Sequence, residues 1–138
     1  MILEHAVKEA ETIAIAGHIR PDGDCAGACL GLYNYLQENY NQDFDKEIDV
    51  YMEEIPQKFS FLKNSGKVLR DCEEEKEYDL FIALDCGSLD RLGNAGKYFR
   101  SAKHTLCIDH HISNEFFAEE TILKEESSST CEVLFEYV

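Results

Sequence analysis

Histidines and aspartates recur in this sequence where short apolar runs stop. GHIRPDGD gathers His18, Asp22 and Asp24 into one polar stretch; YDLFIAL runs into Asp85; HTLCI runs into Asp109, His110 and His111. Carboxylates and imidazoles in this proportion suit two divalent cations bound through oxygen and nitrogen. One carboxylate shared by two cations about 3.5–4 Å apart could generate a hydroxide nucleophile near neutral pH. Each group also has a plainer reading. Pro-Asp-Gly-Asp is a turn sequence, an aspartate after a strand is commonly a helix cap, and one histidine of a pair can cap a strand. Their joint placement at three successive strand ends favours a metal site.

The elements that must carry these groups follow from periodicity. Residues 3–11 read as an amphipathic helix and Thr12 to Ala16 as a β-rich strand. A polar turn, His18 to Asp24, leads into a helix from about Cys25 to Asn39. Ile48 to Met52 reads as a second strand, and Pro56 opens a short helix, as proline suits a first turn. Tyr78 to Leu84 is a continuous apolar run, the pattern of a strand buried on both faces. Thr105 to Ile108 is another buried strand, and Thr121 to Leu123 an edge strand. Ser127 to Ser129 cap a last helix, with Glu132 completing a capping box from Ser129. That helix, carrying Val133, Leu134 and Val138, is expected to be still running where the sequence stops. Strands alternating with helices imply an α/β fold: a mostly parallel sheet, helices on both faces, in Rossmann-like layers. Groups beyond the carboxyl ends of such strands share one edge of the sheet, where ligands bind.

Composition narrows the function. The 138 residues are 44% hydrophobic and 11% aromatic, enough for one domain with a real core. A net charge of −15 would repel the phosphates of DNA or RNA over most of the surface, which disfavours a nucleic-acid-coating protein. No apolar run approaches the roughly 20 residues of a membrane span, and the acidic, helical start lacks signal-peptide features; a cytoplasmic location is expected. The six cysteines include no C-x-x-C pair. They read as free, structural thiols, with Cys25 and Cys29 one helical turn apart.

At this level of detail the sequence resembles a known family. GHIRPDGDCAGACLGLYNYL, FIALDCGSLDRLG, CIDHHISNEFF and SSSTCEVLFEYV are similar, in that order, to the first three motifs and following helix of the DHH phosphoesterases. The likeness runs from about Thr12 to Val138 and is nearest to the bacterial nanoRNase/pAp-phosphatase branch, related to RecJ-type exonucleases. It implies a hydrolase acting on short RNA, dinucleotides or small phosphorylated nucleotides such as pAp. The cofactor it implies is Mn²⁺, two ions in a full-length protein, with Mg²⁺ an alternative. His18 and Asp22 would serve one ion, Asp24 and His110 the other, and Asp85 both. Asp109 would orient a histidine, and His111 would face the phosphate and stabilise its developing charge.

Further assignments are looser. Arg20 and Arg91 would reach substrate phosphates or pair with neighbouring carboxylates, and Asn114 would contact substrate or orient the DHH loop. Two departures qualify the likeness. Gly27-Ala28 stands where the family usually has Gly-Ser, so a hydroxyl is lost. The sequence also stops short of a further metal-binding aspartate and of the basic, glycine-rich DHH-associated domain. Residues 1–138 are therefore expected to be a truncated catalytic domain with an incomplete site that binds Mn²⁺ weakly. Competing readings are an inorganic pyro- or polyphosphatase on the same fold and a catalytically silent metal- or nucleotide-binding module. Both a monomer and a homodimer fit the sequence.

Overall fold

The structure, a computed structural model, describes residues 2–53 and 55–137. Its centre is a sheet of five short strands, β1 (Thr12–Ala16), β2 (Glu47–Tyr51), β3 (Leu80–Leu84), β4 (His104–Asp109) and β5 (Glu120–Leu123). The strand order is β2-β1-β3-β4-β5, and every pairing is parallel. Parallel neighbours need crossovers, and these cover both faces. α1 (Ile2–Glu9), α2 (Gly23–Tyr40) and α4 (Thr130–Phe135) pack on the face that carries Ile13, Ile15, Ile82, Leu84 and Ile108. The 3-10 segment Leu89–Ala95 and α3 (Gly96–Ser101) pack on the other face, against Ala14, Ala16, Phe81, Ala83 and Cys107. Central strands buried on both sides explain why β3 is apolar at every position. Among the described residues no helix is long and apolar enough to cross a membrane.

β1 leads outward to β2 in one direction, whereas β3, β4 and β5 are added in the other. The order therefore reverses between β1 and β3, and the crevice beyond their carboxyl ends is where open α/β sheets bind ligands. Close backbone approach shapes that crevice. A Cβ on Gly17 would lie 2.2 Å from Cys25 Sγ and 3.0 Å from Cys29 Sγ, so only glycine lets α2 sit this near the end of β1. Gly93 has φ of 61° and faces Ile19, whose N–H donates to the Arg91 carbonyl at 2.7 Å. That bond ties the turn after β1 to the segment after β3.

Several expectations need adjustment. No helix is expected between β3 and β4, yet Leu92, Ala95, Tyr98 and Phe99 there are buried at helical spacing. Gly93 kinks the 3-10 segment from within, and the helix that follows has six residues, so no stretch is long enough to register as one period. Pro56 does not enter a first α-turn; it is extended (ψ 136°) before the 3-10 turn Gln57–Phe59. α4 ends at Phe135 instead of running on. Glu136 and Tyr137 donate to Val133 and Leu134, a last turn tightened to i→i+3 bonds; Val138 lies outside the described residues. The capping box is half formed: Ser129 accepts from the Glu132 N–H, while the Glu132 carboxylate accepts from Ser128 Oγ.

The tight fit at Gly17 is testable by a double-mutant cycle in urea. Gly17→Ala is expected to cost about 1–3 kcal/mol, the usual scale for overpacking. Adding Cys25→Ala should recover most of that loss. An unchanged midpoint for Gly17→Ala alone would refute the close approach.

Candidate metal centre

β1 ends at Ala16, and the chain turns through Gly17 and His18 into α2. His18 Nδ1 donates to the Ile19 carbonyl at 2.6 Å, which leaves Nε2 as the ring's outward donor atom. That Nε2 is 3.2 Å from Asp85 Oδ2 and 3.7 Å from Asp22 Oδ1. Asp22 is also the N-cap of α2, accepting from the Cys25 N–H at 2.9 Å, so the turn reading and the ligand reading hold for one side chain.

Asp85 follows β3 with φ of 57°, a left-handed conformation that aspartate tolerates better than most residues. Its N–H donates to the Ile108 carbonyl, fixing the turn on the neighbouring strand. The side chain is 2% exposed. Its second oxygen, Oδ1, lies 3.6 Å from His110 Nε2 and 3.8 Å from His111 Nδ1, and accepts the Thr130 hydroxyl at 3.0 Å. Asp24, in the first turn of α2, lies 3.6 Å from His110 Nε2. It also accepts the Thr130 and Cys131 N–H groups at 2.9 and 3.0 Å, closing the first turn of α4. Sequence reasoning missed Thr130, because SSST reads as a cap and nothing local to it reports a contact with Asp85.

The third strand end is held from beneath. Asp109 is fully buried; Oδ1 accepts from His111 Nδ1 at 2.7 Å and Oδ2 from Asn114 Nδ2 at 2.9 Å. Asn114 also accepts the Phe116 N–H at 2.7 Å through Oδ1, so its amide is committed to the DHH loop. Arg20 and Arg91 are exposed, and no carboxylate pairs with either among the described residues. Arg20 reaches Glu53 only through its backbone N–H, at 3.0 Å.

His18, Asp22, Asp24, Asp85, Asp109, His110 and His111 thus converge on the crevice. Within it, donor atoms of Asp85, Asp109, His110 and His111 lie within 4.8 Å of one another, as do those of His18, Cys25 and Asp85. Electrostatics match a cation site. Burial, with Asp24 close by, raises the Asp85 carboxyl above its ordinary value. Its hydrogen bond to Asp85 pushes the His18 ring up to about 11. Burial alone would raise Asp24, but the α4 amides outweigh it and hold Asp24 low. Divalent cations would displace the His18 proton and relieve the crowding of carboxylates. The donor set, imidazoles and carboxylates with buried supports, fits hard or borderline ions such as Mn²⁺ and Mg²⁺.

Comparison with known proteins places these residues in context. The DHH family, N-terminal domain, matches residues 12–138. A bifunctional oligoribonuclease and PAP phosphatase, NrnA, of Mycoplasma genitalium is 26% identical over 92% of this chain and 39% of its own length. The cyclic-di-AMP phosphodiesterase GdpP of Geobacillus thermodenitrificans is 27% identical over 98% of this chain and 23% of its own. The chain therefore spans well under half of the curated relatives it matches. A crystal structure of an exopolyphosphatase-related protein from Bacteroides fragilis superposes with a TM-score of 0.85, at 28% identity, over 98% of this chain and 41% of that one.

Thr130→Val removes the hydroxyl given to Asp85 and keeps the N–H given to Asp24. Leaving a buried acceptor short of a donor should cost about 1–3 kcal/mol in urea unfolding. Thr130→Ser should retain most of it. Wild-type stability in Thr130→Val would show that the hydroxyl contributes nothing.

Proposed function

This chain belongs to the DHH family, whose N-terminal domain it carries, and on that premise we propose that it hydrolyses short oligoribonucleotides, dinucleotides or pAp at a two-cation centre. The observation that carries the reading is the division of one buried carboxylate. Asp85 Oδ2 is turned to His18, with Asp22 behind it, and Asp85 Oδ1 to His110, with Asp24 behind it. One cation would be held by His18, Asp22 and Asp85, the other by Asp24, His110 and Asp85. Manganese, or magnesium in its place, would supply a water acidic enough to ionise near neutral pH and positive charge against the phosphate oxygens.

The remaining work falls to the chain itself. Asp109 fixes the His111 ring through Nδ1 and leaves Nε2 for a phosphate oxygen, where a donor stabilises charge that develops during P–O cleavage. Asn114 holds Asp109 in turn, so we assign it positioning rather than substrate contact. Arg20 and Arg91, exposed near the crevice, would meet outer phosphates of a short substrate. A short, multiply charged substrate suits a chain whose overall charge repels long nucleic acids. The exopolyphosphatase-related neighbour keeps inorganic polyphosphate in the assay as the rival substrate.

The test uses this chain, or any longer protein that carries it, supplied with Mn²⁺. Asp85→Ala should lose manganese and hydrolysis of pAp and short oligoribonucleotides together. His111→Ala should keep manganese, read by electron paramagnetic resonance, and slow turnover by about 10²–10³, the scale for one lost electrostatic donor. Wild-type turnover in His111→Ala would overturn its role, as would a loss of manganese equal to that of Asp85→Ala. Hydrolysis of polyphosphate but not of nucleotides would favour the rival.

A further inference from the structure

Cys25 belongs to the same buried core as Cys29, yet among the described residues it is the one cysteine whose sulfur also groups with ligand atoms of the crevice. It lies in the first turn of α2, directly after Asp24, and is fully buried. Its Sγ is 4.0 Å from the His18 carbonyl oxygen, at the outer limit for a thiol donor. The space it occupies is the space a Cβ on Gly17 would need, 2.2 Å away. Sγ, a ring nitrogen of His18 and a carboxylate oxygen of Asp85 all lie within 4.8 Å of one another, and all three residues are buried. Among the described residues no other cysteine joins such a group. By contrast, Cys86 Sγ donates to the Ser88 carbonyl at 3.1 Å and Cys107 Sγ to the Cys86 carbonyl at 3.5 Å.

We propose that Cys25 is a sulfur donor on the His18 side of the centre, so that this side accepts a thiophilic divalent cation such as Zn²⁺ or Co²⁺. The inference rests on the metal centre proposed above. Imidazole, carboxylate and thiolate together form a donor set that borderline-soft ions favour, whereas the His110 side offers only nitrogen and oxygen and keeps its preference for harder ions. On coordination the thiol proton passes to solvent, and sulfur and metal keep their oxidation states. The two halves of the centre would then differ in metal preference. One would be selective by ligand softness, the other by carboxylate charge.

Cobalt makes the sulfur visible. Titrated with Co²⁺ under reducing, anaerobic conditions, the wild-type chain should develop a near-ultraviolet sulfur-to-cobalt charge-transfer band. Cys25→Ala should still bind Co²⁺ but lack that band, and its Zn²⁺ affinity by calorimetry should fall on the order of 10–100-fold, as for loss of a group supporting a metal site. Cys25→Ser, which keeps the volume and offers a hard oxygen, serves if the alanine variant does not fold. A wild-type cobalt complex without the band overturns the proposal, as does a band that survives in Cys25→Ala. The metal-centre reading fails separately: wild-type chain that binds neither Co²⁺ nor Mn²⁺ removes both. Manganese binding that depends on Asp85, without any cobalt–sulfur band, removes Cys25 alone.

Discussion

A carboxylate with almost no access to water must be compensated, and in this molecule that carboxylate is Asp85. Its two oxygens are the meeting point of everything brought to the crevice: His18 on one, His110, His111 and Thr130 around the other. Burying a bare negative charge is expensive unless donors or cations surround it. Each neighbouring element is set to provide them. The left-handed turn at Asp85 and the glycine that lets α2 approach β1 serve that condition, while the amides of α4 satisfy a second carboxylate, Asp24. Around Asp85 stand the His18 ring, 3.2 Å from Oδ2, and the Thr130 hydroxyl, which donates to Oδ1.

The supports behind these groups are rigid. Ile19 is tied to Arg91 by backbone, Asp109 to Asn114 by side chain, and Asn114 to Phe116 by backbone again. Precise placement of charged groups demands such partners, since a metal site binds well only when its ligands are already oriented. A chain of hydrogen bonds therefore runs from the floor of the DHH loop to the His111 ring.

Much of this was legible in the sequence because strand ends are easy to read. A run such as LFIAL, short, apolar at each position and rich in strand-forming residues, reads as a strand covered on both sides, and the first polar residue after it falls at the sheet edge. His18, Asp85 and the DHH triplet were placed by that rule. What it could not place depends on contacts distant in sequence or on backbone detail. Thr130 looks like one more hydroxyl in a serine-rich cap, and its bond to Asp85 exists only once α4 lies over α2. Cys25 looks like a small core residue, and only the nearness of Gly17 and His18 makes it a metal-ligand candidate. Asn114 could equally have pointed outward; the burial of Asp109 decides it. The α3 region hid because Gly93 splits its period.

The bonds between Asp24 and α4 also bear on how the molecule comes into being. They join residues 106 and 107 positions apart, so the crevice closes only when segments this distant in the sequence are both present. Contacts of such separation form late, after the entropy of a long loop has been overcome. A nascent chain cannot complete the ring of donors until residue 131 has emerged. The ring of donors is therefore finished by residues far from those that begin it, and a chain cut before Thr130 would lack the two amides and the hydroxyl that close it.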